Sequence, residues 1–358
     1  MNIARLWLTD FRNYASAELA PDPDGLTVIR GANGQGKTNL LEAVGWLASL
    51  SSFRGAPREA LVRTSAERAV VRAEGVREGR AVLVEAELAR AGRDRVLVNR
   101  QPLRRTRDLL GAFRATVFSP DDLELVRGGP AARRELLDIA LVFLAPRQDS
   151  LQSDVERVLR QRNTLLRQVE GRLDAGAEAT LEVWDSKLSS LGTALAEARE
   201  DLVGRLSPEV DVAYTGLSRG GGDVVLTYRR SWEGDLGAAL QASRREDLRR
   251  GFTSLGPHRD ELDVVLDGMP ARTQASQGEQ RCLALALRLA THTLVTAEVG
   301  SPPVLLLDDV LSELDPGRAA ALLSLLPPGQ ALLTTAGPLP EGWAPSLVVS
   351  VHDGRISS

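Results

Sequence analysis

The segment GANGQGKT at residues 31–38 sets Gly31, Gly36, Lys37 and Thr38 in the spacing G-x-x-x-x-G-K-[ST], with Ala32, Asn33, Gly34 and Gln35 between. Glycines in this pattern let successive backbone N–H groups turn toward phosphate, a lysine ammonium reaches the β- and γ-phosphates, and a hydroxyl supplies a hard oxygen for Mg²⁺. ATP and Mg²⁺ are the ligands this chemistry implies. Lysine is otherwise almost absent, occurring only at Lys37 and Lys187 in an arginine-rich chain. A compact ammonium in the loop is therefore a specific choice, because phosphate binding at that place needs a point charge rather than a planar fork.

The loop needs a strand before it and a helix after it. LTVIR at residues 26–30 is a short β-branched run, and NLLEAVGWLASL from Asn39 has helical spacing, so phosphate would lie at a helix N-terminus. A second acidic centre lies far along the chain. VLLLDD at residues 304–309 is an apolar strand ending in Asp308 and Asp309, a form in which one carboxylate holds the metal and its neighbour orients water. Asp308 is read as the Mg²⁺ ligand with Thr38, and Lys37, Asp308 and Asp309 as the catalytic set.

SQGEQ at residues 276–280 heads the apolar run CLALALRLA, and LSELD follows the acidic strand. This order of signature helix, acidic strand and Ser-x-Leu-Asp resembles the ABC-type ATPases. In that resemblance Ser276 and Gly278 bind the γ-phosphate held by a second subunit, which implies an ATP-dependent homodimer. Ser276 and Glu279 also form an S-x-x-E capping box, a role compatible with the first.

With 358 residues the chain can bury a large core in one big or two ordinary domains, and its net charge of −4 excludes a uniformly basic coat without excluding local basic patches. A single cysteine, Cys282, excludes an internal disulfide framework and fits a reducing cytoplasm, the expected location. No membrane partner is expected, since no segment approaches ~20 uninterrupted apolar residues and no signal-peptide pattern opens the chain. With histidine only at His258, His292 and His352, no structural zinc site is expected.

Alternating runs between Ala69 and Val98 predict antiparallel strands near the nucleotide, and ATVFS from Ala115 predicts a buried strand. After Gly128, Gly129 and Pro130 long helices are expected. Leu181, Trp184, Leu188, Leu191, Leu195, Ala198 and Leu202 form a heptad seam. Leu151, Val155, Val158, Leu165 and Val169 form a weaker partner stripe interrupted by Arg162, with a reversal at residues 171–176. The reading is an antiparallel hairpin of ~25 to 30 residues per helix and ~40 to 45 Å, although the same periodicity serves helices folded flat on the body. RGGGD at residues 219–223 reads as a loop and VVLTYRR as a strand. The expected organisation is an α/β ATPase head with a mixed sheet, 1–127 and 207–358, interrupted by a helical arm, 128–206.

LTDFRNY, GANGQGKTNLLEA, FSPDDLELVRGGPAARRELLD, TSLGPHRDEL, SQGEQR and LLLDDVLSELD, in that order, resemble the RecF family of bacterial recombination-repair ATPases over nearly the whole chain. The resemblance implies an ABC-type, SMC-like head, ATP-dependent dimerisation on double-stranded or gapped DNA, and cooperation with RecO and RecR in placing RecA at gaps; the short Asp309 side chain adds the expectation of slow hydrolysis that DNA binding accelerates. On the resemblance alone, Arg12 and Asn13 help hold the nucleotide, and His258 and Arg259 belong to a family motif. Two departures from the wider ABC pattern stand out: no glutamine ends ATVFS, and Thr334 and Thr335 stand where a switch histidine is usual. Asp309 also replaces the usual glutamate base.

For DNA phosphate, Arg104, Arg105 and Arg107, then Arg133 and Arg134, then Arg244, Arg245, Arg249 and Arg250 are the candidate clusters. The rival readings are a transporter ATPase subunit, which would carry a glutamate base and a switch histidine, and an SMC-like structural protein, which would need a far longer coiled coil.

Overall fold

The computed structural model describes residues 2–357 apart from 78, 104–108, 110–112, 170–173, 219–220 and 313. The expected Arg104, Arg105 and Arg107 cluster, Glu313 of LSELD, and parts of the 171–176 reversal and the 219–223 loop therefore lie outside the described residues. The chain divides into two compact units, one of Met1–Leu123, Val212–Gly221 and Ser276–Ser358, the other of Glu124–Asp211 and Gly222–Ala275.

In the first unit, one six-stranded sheet runs in the order Arg355–Ser357, Leu347–His352, Leu26–Arg30, Ala331–Thr335, Val304–Asp308, Ala115–Phe118. Its pairings are parallel except for the terminal hairpin. The second sheet is antiparallel and contains Tyr14–Leu19, Asn2–Phe11, Arg68–Arg77, Arg80–Ala89, Arg95–Val98 and Gln101–Pro102. The helix Lys37–Ser49 joins both sheets to one core, which is why Leu40 through Ala48 are buried without a polar face. Leu6, Leu8, Val71 and Val84 of the antiparallel sheet and Leu306 and Leu332 of the parallel one belong to that cluster with Leu41 and Val44.

The helix Gln277–Val299 is long and apolar enough by composition to cross a membrane, but 61% of its most apolar window is buried here. Leu283, Ala286, Leu287 and Ala290 are buried core residues, and its Arg288 binds Asp122 Oδ1 through Nε at 3.0 Å and Nη2 at 2.7 Å.

The second unit holds the helices Pro130–Leu144, Gln148–Gln168 and Leu236–Arg250, most of Ala175–Ser218, and a three-stranded antiparallel sheet of Met269–Pro270, Glu261–Leu266 and Val224–Arg229. Two expectations change here. The helix Ala175–Ser218 spans 44 residues with Pro208 inside it, longer than either helix of the expected hairpin. Residues 222–275, expected in the C-terminal head segment, cluster with the helical unit. Ion pairs tie that segment to the helices: Arg133 binds both Glu261 oxygens, and Arg162 binds Asp185 and Asp247, both at 2.7 Å.

The helical seam is offset from its expected register. Leu181, Leu188, Leu195 and Leu202 are buried as expected, but the intervening buried positions are Asp185, Gly192 and Arg199 rather than Trp184, Leu191 and Ala198. Charges are tolerated on this seam because each is matched. Asp185 accepts from Arg162 and Arg244, while Arg199 donates to both Asp138 oxygens and to the Pro257 carbonyl. Arg162, which broke the apolar stripe, is fully buried as the hub of this network and also donates to Thr253 Oγ1 at 2.9 Å.

Candidate functional site

The loop at residues 31–36 leaves the strand Leu26–Arg30, which lies between Ala331–Thr335 and Leu347–His352. Gly34 and Gly36 have φ of 82° and 110°, a region that L side chains rarely enter. A Cβ on Gly31 would stand 2.4 Å from the Val351 carbonyl, and one on Gly36 would stand 2.5 Å from Asn13 Nδ2. A Cβ on Gly34 would meet nothing within 4 Å, so the loop is open on that side.

Neighbouring turns fix the loop. Asn13 Nδ2 donates to the Gln35 carbonyl at 3.0 Å, Tyr14 OH donates to the Gly36 carbonyl at 3.0 Å, and the Asp353 N–H donates to Gln35 Oε1 at 2.7 Å. Arg12 lies beside Asn13 and is tied to the helix that follows the loop. It makes a two-pronged ion pair with buried Glu42, at 2.7 and 2.6 Å, and its Nη1 donates to the Ala60 carbonyl at 3.0 Å. Its guanidinium thus anchors the turn to the following helix, while Asn13 braces the loop directly.

Lys37 is buried and its Nζ donates to the Ala32 carbonyl at 2.9 Å, so the ammonium lies across the loop. Thr38 Oγ1 donates to Asp308 Oδ1 at 2.8 Å. Two hard oxygens from residues 38 and 308 therefore meet at the loop, a donor set that suits Mg²⁺. Burial raises the Asp308 carboxyl above its usual range, opposed by hydrogen bonds from Thr334 and Thr38 and by the charge of Arg54. Arg54 is exposed, with Nη1 3.5 Å from Asn39 Oδ1. No motif in SSFRG, the segment after the helix, marks this arginine in the sequence.

Thr334 occupies the strand between the loop strand and the acidic strand, in register with Asp308 on one side and Ile29 on the other. Its hydroxyl donates to Asp308 Oδ1 at 2.7 Å and accepts the Asp309 N–H at 2.9 Å. Asp309 has φ 50°, a left-handed conformation for a non-glycine residue, and Ser312 Oγ donates to its carbonyl at 2.8 Å.

Ser276 caps the helix Gln277–Val299 in a complete capping box: its Oγ accepts the Glu279 N–H, and Glu279 Oε2 accepts the Ser276 N–H at 2.6 Å. A Cβ on Gly278 would stand 2.7 Å from Arg318 Nη1. Arg318 pairs with Asp315, which caps the next helix by accepting the Arg318 N–H.

Several other sequence candidates belong to the helical unit. Arg133 is buried on Glu261, Arg134 donates to the Asp260 carbonyl at 2.7 Å, and Arg244 binds Asp185, so these three serve packing inside the helical unit. His258 Nε2 lies 3.1 Å from the Thr253 carbonyl, and burial lowers its pKa to about 4. Arg259 lies over the Phe252 ring at 5.3 Å.

A glycine loop on a central strand of a mostly parallel sheet, an antiparallel sheet sharing the core around its helix, and an acidic strand two places away define an ABC-type ATPase head. The family described as the RecF/RecN/SMC N terminal domain matches residues 2–331. Curated relatives called DNA replication and repair protein RecF are 45% identical in Streptomyces avermitilis, covering 94% of this chain and 93% of the relative, and 44% identical in Frankia alni with the same coverage. A solved structure of the recombination mediator protein RecF with ATP, from the RecFOR pathway, superposes with a TM-score of 0.91 at 28% identity, covering 99% of this chain and 97% of that one. An Smc head bound to the C-winged helix domain of ScpA shares the fold, with a TM-score of 0.60 at 17% identity over 100% of this chain and 96% of that one. The chain belongs to the RecF family of SMC-like ATPases.

Proposed function

We propose that this chain is an ATP-dependent DNA-repair ATPase that dimerises on ATP and Mg²⁺, holds double-stranded or gapped DNA, and uses slow hydrolysis to time its release. The observation that carries this reading is the 2.8 Å contact between Thr38 and Asp308, which joins the phosphate loop to the acidic strand. Residues 31–38 would hold the phosphates, with Lys37 on β and γ, and Thr38 and Asp308 would hold the metal. When bound, Mg²⁺ supplies charge neutralisation on the β- and γ-oxygens. Asp309 orients the attacking water, and because its side chain is one methylene shorter than glutamate, turnover is slow. Ser276 and Gly278 complete the site of a second copy. By their RecF relationship, RecO and RecR are the partner proteins, RecA loading at gaps is the outcome, and the cytoplasm is the location.

The test is Asp309→Asn, measured for ATP turnover and for dissociation from DNA after dilution into ATP. The variant should bind Mg²⁺–ATP and dimerise, lose hydrolysis, and remain on DNA longer. Wild-type turnover, or departure from DNA no slower than wild type, overturns the timer.

A further inference from the structure

The helices Gln148–Gln168 and Leu236–Arg250 border an open surface cleft of about 640 Å³ in the helical unit. Its walls carry Arg167, Arg245, Arg249 and Arg250 over an apolar floor of Leu166 and Leu248. Among the described residues no acidic side chain lines it.

Most arginines in this unit are matched. Arg133, Arg157, Arg160, Arg162, Arg199, Arg229, Arg230 and Arg244 each have a carboxylate partner. Arg249 and Arg250 share one partner, half-buried Glu246, whose single charge offsets one of the two. Among the described residues Arg167 and Arg245 have no acidic partner, and both are exposed. The cleft therefore carries about three uncompensated positive charges.

Charge on the last turn of a helix complements its dipole, which accounts for Arg249 and Arg250. It does not account for Arg245, which lies further inside its helix, or for Arg167, which reaches the cleft from another helix. At the C-terminal rim the chain turns at Gly251, with φ 72°, into Phe252, an exposed aromatic with Arg259 against its ring. Guanidinium groups from two helices beside an exposed aromatic suit a strand that repeats phosphate and flat base.

We propose that this cleft is a nucleic-acid backbone subsite in which Arg167 and Arg245 contact DNA phosphates, with Arg249 and Arg250 as the supporting field. It rests on the DNA reading above and adds a specific place for the contact. Arg245 was singled out in the sequence with Arg244, Arg249 and Arg250, whereas Arg167 was not, and only the fold brings it beside them.

The test uses the full chain with Mg²⁺–ATP and a fluorescent duplex, titrated across a salt series. Arg167→Gln/Arg245→Gln should weaken binding about tenfold near 0.1 M salt and make the log–log salt slope shallower by roughly 2, as expected for two lost phosphate contacts. Arg147→Gln is the control. Arg147 is exposed at the other end of the Gln148–Gln168 helix, about 30 Å away by helical rise, and its replacement should change affinity less than twofold. An unchanged thermal midpoint and unchanged ATP affinity show that the double variant is folded. If wild type binds duplex and the double variant matches it in affinity and slope, the subsite is wrong while the DNA reading stands. If wild type binds no DNA with or without ATP, both fail together. A parallel titration with poly-glutamate separates the occupants, because loss of peptide binding with DNA binding intact makes the cleft a dock for acidic protein and overturns the nucleic-acid assignment.

Discussion

Thr334 and Asp308 face each other across two parallel strands, and the threonine hydroxyl donates to Asp308 Oδ1 at 2.7 Å while accepting the Asp309 N–H. One side chain thus ties the Asp308 carboxylate to the Asp309 backbone, in the region where wider ABC ATPases carry a switch histidine. Thr334→Val keeps the shape and removes both bonds. It leaves a buried carboxylate with one donor fewer and should cost about 1 to 3 kcal/mol of stability. In steady-state kinetics, kcat should fall at least about tenfold, the loss expected when a positioned reacting group is misaligned, while nucleotide affinity changes little. Thr334→Ser should restore most of the rate. Equal kcat in wild type and Thr334→Val would show that the tie has no part in hydrolysis.

Lys37 carries the next prediction. Its Nζ now donates to the Ala32 carbonyl, so the amine is held where a phosphate oxygen can replace that acceptor. Lys37→Met removes the only ammonium in the loop and should abolish ATP binding or nearly so. Lys37→Arg keeps the charge on a wider group in a buried position, and should retain binding better than hydrolysis. Nucleotide titration of both variants decides, and ATP affinity equal to wild type in Lys37→Met would refute the site.

His292 gives the head unit a dependence on acidity. Its imidazole is 1% exposed, with Nδ1 3.1 Å from Thr116 Oγ1, and burial lowers its pKa from 6.5 to about 4. Because the folded pKa lies below the unfolded one, the contribution to stability is complete above pH 6.5 and is lost as pH falls toward 4. At full extent it is roughly 3 kcal/mol, an order-of-magnitude figure from the size of the shift. Urea midpoints measured from pH 7.5 to 4.5 should fall in that window, and His292→Gln should flatten the fall. An identical pH profile in the variant would remove His292 as a source.

The phosphate loop, the acidic strand and the signature helix were legible because each combines a motif with its flanking periodicity. The strand–loop–helix at Leu26–Ser49 and the strand Val304–Asp308 follow the expected pattern. The helical seam was legible only in half. Its leucines every seven residues show directly, but the alternate positions are Asp185 and Arg199, and sequence patterning favours apolar Trp184 and Ala198 because the ion-pair partners lie far away in sequence. The same limit hides Thr334. A threonine in an apolar strand reads as β propensity, and its role appears only when parallel pairing sets it opposite Asp308. Arg12 shows the same limit, since its motif gives no sign of the Glu42 and Ala60 partners that its guanidinium finds in the fold.

On the proposed function, one chain supplies half of two composite sites, with Ser276 acting on nucleotide held by another copy. Sedimentation velocity with and without Mg²⁺–ATP and duplex DNA, using wild type and Ser276→Arg side by side, decides whether it does. Wild type should sediment as a dimer only with ATP, and the duplex should move with that dimer. Ser276→Arg should bind ATP and remain a monomer in every condition. Wild type remaining monomeric with ATP and DNA bound, or Ser276→Arg dimerising with ATP as wild type does, would show that Ser276 does not act across a dimer.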